Sequence, residues 1–267
     1  MKKKATLIVG GALVVGVGMI VASAARVALH DSPCGEGFTR SGARCMPAHA
    51  CPSPLVETDK GCDEKDVDTI AIDEATVTIG PSDWEAEGRV APRTVHASAF
   101  RIDRLEVSAG RFGQPGDAAR AASGVTLDEA RVFCTHRGGR LPTEDEWIVA
   151  AAGPKAHRYP WGDTGAVCRR AAFGLRDGPC ATGGDGPDTV GSHPDGATPQ
   201  GVQDLAGNVA EWVETGACES GKCLAVVRGG SFETKLATEL RTWSRREVSP
   251  ETRQASIGFR CAYDAVP

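Results

Sequence analysis

The spacing of hydrophobic and polar positions divides the 267-residue chain into three stretches of different character. Ala5 to Val21 is an apolar run that extends to Leu29 with Arg26 as its one charge. Residues 31–65 offer little apolar content among Gly, Pro, Ser and charged positions. From about residue 66 regular periods return. Ile70, Ile72, Val77 and Ile79 alternate with polar residues and close on Gly80, which predicts strands and a turn over 69–79. Val95 to Ile102 predicts a second extended stretch, and Ser108 is placed to cap a short helix over 109–112. Thr126-Leu-Asp-Glu129 and Thr143-Glu-Asp-Glu146 both read as capping boxes, in which the Thr hydroxyl and the Glu carboxylate satisfy each other's backbone N–H groups. The first helix would bury Leu127, Ala130, Phe133 and Cys134. The second, entered through Pro142, would bury Trp147, Ala150 and Ala151 before Gly153 ends it. Beyond Gly153 the pattern predicts mostly loop, with strands at 224–227 and 257–262.

The first stretch is an export signal in form: Met1-Lys2-Lys3-Lys4, an apolar run, then Ala22-Ser23-Ala24. Extended to Leu29 it also reaches the roughly 20 apolar residues that span a bilayer. Residues 1–30 are therefore either a cleaved signal peptide or an uncleaved membrane anchor. In both readings the lysines stay cytoplasmic and the rest is carried across. The first cysteine, Cys34, is too far from the run for a lipoprotein. Ten cysteines, an even number, fit an oxidising compartment. Cys34, Cys45, Cys51 and Cys62 make residues 31–65 a disulfide-held linker or stalk whose three possible pairings stay open. A zinc knuckle is disfavoured there because no C-x2-C pair occurs. A formal charge of −5 without a basic run argues against a nucleic-acid partner. The 33 Gly and 16 Pro predict a main domain, residues 66–263, with many turns and few regular elements.

Four segments stand out in order: Arg140-Leu-Pro-Thr-Glu-Asp-Glu-Trp147, Tyr159-Pro-Trp-Gly-Asp163, Asp204-Leu-Ala-Gly-Asn-Val-Ala-Glu-Trp212 and Arg228-Gly-Gly-Ser-Phe232, followed by Gly258-Phe-Arg-Cys261. Phe100 to Val107 and Val125 to Cys134 fit the same series. The set resembles the formylglycine-generating enzyme (sulfatase-modifying factor) family over about residues 66–263. That resemblance implies an α+β domain: a loop-rich variant of the C-type-lectin fold. It also implies a disulfide between Cys134 and Cys261, leaving Cys168 with Cys180 and Cys218 with Cys223 as local staples.

Family members that oxidise cysteine to formylglycine hold copper with two thiolates, at the third and eighth positions after the serine of the Arg-Gly-Gly-Ser motif. Soft thiolates select Cu(I), which activates dioxygen. Here Thr234 and Glu239 stand at those positions, and residues 232–260 contain no cysteine. Copper, and copper-dependent cysteine oxidation, are therefore not expected. Cys218 and Cys223 share the five-residue offset but flank Glu-Ser-Gly-Lys, a hairpin tip suited to a disulfide. A second family activity uses iron held by histidines, but His30, His49, His96, His136, His157 and His193 are scattered singly. No G-x-S-x-G surrounds Ser231, so no nucleophile elbow is implied. A calcium site carries over better: the Asp204 and Glu211 carboxylates with the carbonyls of Gly207 and Val209, an oxygen set that suits Ca²⁺. The plainer alternative is that these residues only shape a turn around Asn208. Trp147, Trp161, Trp212 and Phe259 are most simply core, and Trp243 is a candidate binding residue among Arg241, Arg245 and Arg246. The resulting expectation is a binding or accessory module for an exported protein, peptide or glycan. The alternative is an oxidoreductase that modifies exported proteins.

Overall fold

A computed structural model describes the backbone of residues 38–41, 44–47, 56–58 and 61–63, and the residues 68–80, 91–215 and 224–265 in full. The export segment, the pairing of Cys34, Cys45, Cys51 and Cys62, and the link between Cys218 and Cys223 lie outside the described residues. The chain divides into two compact units, Met1–Lys65 and Asp66–Pro267. In the first, β1 (Phe38–Ser41) pairs antiparallel with β2 (Arg44–Pro47), and β3 (Val56–Thr58) with β4 (Gly61–Asp63).

The second unit is assembled from three small sheets and short helices. β5 (Thr69–Ile72) and β6 (Ala75–Ile79) realise the alternation of the first period, with Ile72, Val77 and Ile79 facing inward. The extended stretch predicted over 95–102 is two strands, β7 (Arg93–Ala97) and β8 (Phe100–Asp103). Ser98 and Ala99 break it, because β7 pairs with β6 while β8 joins a different sheet, between β5 and the C-terminal β13 (Ala262–Asp264). Helix α1 (Ala109–Phe112) is capped by Ser108. Helices α2 (Leu127–His136) and α3 (Glu144–Ala152) begin at complete capping boxes on Thr126 and Thr143. Helix α3 is buried on nearly all sides, with Trp147 to Ala152 in the core beside β6 and β7.

The third sheet has the order β11-β10-β9-β12. It contains β9 (Ala210–Val213), β10 (Ala225–Arg228), the edge strand β11 (Arg245–Val248) and β12 (Ile257–Gly258). The strand expected over 257–262 is therefore split. Ile257 and Gly258 pair in parallel with β9, while Ala262 to Asp264 pair with β8. Between them Phe259, Arg260 and Cys261 are buried with no exposure to solvent. Strands β9 and β11 lack a strand signature in the sequence because β9 is buried on both faces with Glu211 in its middle, and β11 is charged on both faces.

Among the described residues two disulfides hold this unit, Cys134–Cys261 across 127 residues and Cys168–Cys180 across 12. The first ties α2 to the segment between β12 and β13, in a core with Phe259, Leu141 and Trp212. Trp243, placed above as a candidate for binding, is packed in the core with Trp147 and Val213, and the Arg241 guanidinium lies 5.4 Å from its ring. Among the described residues no helix is long and apolar enough to cross a membrane.

Candidate functional site

Two polar constellations stand out, and the third sheet connects them. The first is a buried charge cluster. Arg260, on the turn between β12 and β13, is fully buried, and so is Glu211 on β9. Arg260 Nε and Nη2 donate to the two Glu211 oxygens at 2.8 and 2.7 Å. Its remaining N–H groups reach the carbonyls of Asp103, Arg104 and Gln203. Trp147 Nε1 also donates to Glu211, at 2.8 Å. This pair therefore bolts β9 to α3 and to the chain after β8. Two more buried acids lie against it, Glu106 and Asp204. Glu106 accepts from the Val209 backbone N–H at 3.1 Å and from the Asn208 amide. Asp204 accepts from the Gly191 N–H at 2.6 Å. Burial, with Asp204 and Glu211 nearby, pushes the Glu106 carboxyl well above the usual carboxylate range; burial likewise raises Asp204.

The backbone here is bent to suit. Asp204 and Asn208 both hold left-handed conformations, with φ of 58° and 54°. Such residues usually cost stability unless their surroundings fix them. Asn208 is fixed through its side chain, which also accepts from the Asp188 N–H at 2.7 Å. Gly207 has φ of 90°, and a Cβ there would come within 2.4 Å of the Ala172 carbonyl oxygen.

The fit to calcium can be judged from these groups. Three buried carboxylates face one guanidinium, so the cluster carries an excess of negative charge that a divalent cation would offset. Among the described residues no three His, Cys, Asp or Glu side chains converge on one point. A cation here would thus take part of its shell from the Gly207 and Val209 carbonyls. Glu211 already accepts three N–H donors and has capacity for about one more ligand. The donor types present, carboxylate and carbonyl oxygen, are those that suit the ion.

The second constellation is a cavity of about 390 Å³. Strand β10 ends at Arg228, and the chain then passes through two left-handed glycines, Gly229 at φ 93° and Gly230 at φ 70°. Side chains are excluded there: a Cβ on Gly230 would sit 2.7 Å from Leu240, and one on Gly229 3.1 Å from the Leu205 carbonyl. A tight turn follows. Ser231 N–H donates to Thr234 Oγ1, and Thr234 N–H donates back to the Ser231 carbonyl, both at 3.0 Å. This turn and the 3-10 segment at 237–240 bring Thr234 and Glu239 to the same cavity wall, with Glu233. Arg245 and Arg246 of β11, with Ser244, also line the cavity.

Arg228 anchors the chain leading into β11. Its buried guanidinium pairs with Glu144 at the start of α3 and donates to the carbonyls of Thr242 and Ser244 at 3.3 and 3.2 Å. Glu144 also pairs with Arg93 and Arg245, each at 3.1 Å. Burial alone would raise the Glu144 carboxyl; the three guanidinia outweigh it and hold the group below the usual range.

The resemblance that the motifs carry extends to a family domain. Residues 114–265, more than half of the chain, match the sulfatase-modifying factor enzyme 1-like domain. The chain belongs to this family. It is 34% identical over 151 residues to the inactive C-alpha-formylglycine-generating enzyme 2 of Bos taurus, a match covering 53% of this chain and 49% of the relative. It is 32% identical over 168 residues to the hercynine oxygenase of Mycolicibacterium thermoresistibile, covering 52% of this chain and 35% of that protein. The chain thus spans half or less of the length of these relatives. PvdO from Pseudomonas aeruginosa shares the fold, with a TM-score of 0.61 and 22% identity over 81% of this chain and all of that one. The fold is the loop-rich α+β variant of the C-type-lectin fold.

The structure brings Asp204, Gly207, Val209 and Glu211 onto one turn and strand, and Thr234 and Glu239 onto one cavity wall. Sequence reading assigned no role to Glu106, Glu144, Arg228 or Arg260. Arg228 and Arg260 sit inside the quoted motifs, and a charged residue within an otherwise apolar or glycine-rich motif was the available signal. Glu144 gave only a capping pattern, because its three arginine partners lie 51 or more positions away in sequence.

Proposed function

We propose that this protein is an exported, non-oxidising member of the sulfatase-modifying factor family that binds a protein or peptide through the cavity between Ser231 and β11. The observation that carries the reading is the pair Thr234 and Glu239 on the cavity wall. A hydroxyl and a carboxylate are hard oxygen donors and do not select Cu(I). The four cysteines of the described domain are all committed to disulfides. The cavity itself is of a size that takes small ligands or a few side chains, about 300–1,000 Å³. Its fixed backbone, two left-handed glycines and a closed Ser231–Thr234 turn, favours binding with little ordering cost. Disulfides in the domain support an oxidising compartment. The similarity to a relative named as inactive points the same way.

The test is direct. The purified protein is mixed with copper(I) and a cysteine-containing sulfatase peptide under oxygen. Peptide binding without loss of the thiol is expected; turnover to formylglycine would sink the reading.

Calcium belongs to the same proposal as a structural ion. Held by Asp204, Glu211 and the carbonyls of Gly207 and Val209, it would neutralise the buried acids and stiffen the turn that leads into β9. At 100 times its dissociation constant a single ion stabilises by about 2.7 kcal/mol. The melting temperature is therefore expected to fall on chelation, and Asp204→Asn is expected to abolish the response. A melting temperature indifferent to both would remove calcium from the account.

A further inference from the structure

Three charged groups on the cavity wall have no partner of opposite charge among the described residues. Glu233 and Glu239 are exposed, and their carboxylates enter no ion pair or hydrogen bond there. Arg246 donates to a neutral acceptor, Gln254 Oε1, at 2.8 Å. The other two arginines of the wall are already neutralised. Arg228 and Arg245 share Glu144 with Arg93, and Glu247 on Arg245 and Asp145 on Arg93 complete the balance of three guanidinia by three carboxylates. The residual charge of the cavity is therefore of both signs, two carboxylates and one guanidinium.

These charges come from different elements of the fold. Glu233 and Glu239 come from the turn and 3-10 segment that follow Ser231. Arg246 comes from edge strand β11, where it stands opposite Val227 of β10. The hydroxyl residues Ser231, Thr234, Ser244 and Ser256 line the same cavity. A ligand of one charge would satisfy one of these groups and meet a like charge in the others. Charge complementarity across a binding surface sets specificity, since like charges brought together are penalised. A guanidinium also offers five N–H donors in a fork that matches a carboxylate, and one of Arg246's is directed at Gln254.

We propose that the cavity takes a peptide segment carrying both a basic side chain and a carboxylate, the basic group meeting Glu233 and Glu239 and the carboxylate meeting Arg246. This rests on the cavity being a peptide-binding site. The carboxylate could come from an acidic side chain or from a chain terminus, and the two are separated by the choice of probe.

The full-length protein would be titrated calorimetrically at low salt with four acetylated tripeptides. One is lysyl-alanyl-glutamate as its amide, and one is lysyl-alanyl-alanine with a free C-terminal carboxylate. The third is the amide of the second, with a cation only. The fourth replaces lysine in the first by norleucine, leaving an anion only. The dipolar peptides are expected to bind about 1.5- to fivefold tighter than either singly charged one, the range of exposed ion pairs. A preference between the first two identifies the source of the carboxylate. Glu233→Gln with Glu239→Gln should erase the preference for lysine over norleucine and leave the preference for a carboxylate. Arg246→Gln should do the reverse. All three sites are exposed, and an unchanged melting temperature confirms that each variant is folded. Equal binding of all four peptides, or preferences that survive the substitutions, would overturn the charge assignment while leaving the cavity as a peptide site. Absence of binding by every peptide to the wild-type protein would overturn both.

Discussion

Removing the two disulfides one at a time should produce unequal losses of stability, and the inequality follows from loop length. Cys134–Cys261 closes a loop across 127 residues, and Cys168–Cys180 one across 12. On the chain-entropy relation, the long link restricts the unfolded chain by about 5 kcal/mol and the short one by about 3 kcal/mol at 25 °C. Cys134 and Cys261 are also fully buried beside Phe259 and Trp212, so their replacement by alanine loses packing as well. Cys168 is exposed, so the corresponding loss at the short link is smaller. The perturbations are the double variants Cys134→Ala/Cys261→Ala and Cys168→Ala/Cys180→Ala. The assays are urea and thermal unfolding followed by tryptophan fluorescence, for which Trp147 and Trp212 in the core are natural reporters. For a unit of about 200 residues, 1 kcal/mol moves the melting temperature by about 2–4 °C. The first variant is then expected to melt about 10–20 °C below wild type, and the second about 6–12 °C below. A typical domain has only about 5–15 kcal/mol to lose, so the first variant should be close to unfolding at 37 °C. If the short link proved the more costly, or the long one contributed under 1 kcal/mol, the tie between α2 and the β12–β13 segment would not be the staple argued here.

Arg260→Met strands Glu211 as an unpaired buried carboxylate and should cost about 3–5 kcal/mol, read as a lowered urea midpoint; an unchanged midpoint would refute the cluster's structural role. Gly207→Ala forces a Cβ to within 2.4 Å of the Ala172 carbonyl oxygen at φ 90°, and a loss above about 1 kcal/mol is expected. For Glu144 the sign with pH is set by its depressed carboxyl. The contribution is fully present above the ordinary carboxylate range and is lost as pH falls through the folded value, as the carboxylate that serves Arg228, Arg93 and Arg245 is protonated. Glu144→Gln should therefore be destabilised at neutral pH and show a flatter acid limb than wild type; parallel limbs would contradict the assignment.

Local chemistry was legible in the chain before any tertiary contact was considered. Both capping boxes depend on four consecutive residues, and the alternation over 69–79 depends on one face of a strand; such patterns read the same in isolation. The ordered motifs disclosed the fold because each marks a place where only a particular residue fits, as Gly230 does against Leu240. That Thr234 and Glu239, and no cysteine, stand third and eighth after Ser231 was likewise visible, since identity at a motif offset needs no coordinates.

Tertiary structure decided what those residues do together. The split of the last predicted strand between two sheets is invisible locally, because Ile257 to Ala262 reads as one buried run and only the partners, β9 and β8, differ. Trp243 looked like a surface aromatic among arginines and is core, because Arg241 stacks on it and the fold closes over both. The carboxylates of Glu106, Asp204 and Glu211 are drawn from positions up to 105 residues apart, and the Arg260 that they share is 49 residues beyond the last of them. Their meaning is electrostatic, and electrostatics in a protein is set by burial and by distance through space. A sequence records neither until the chain has folded.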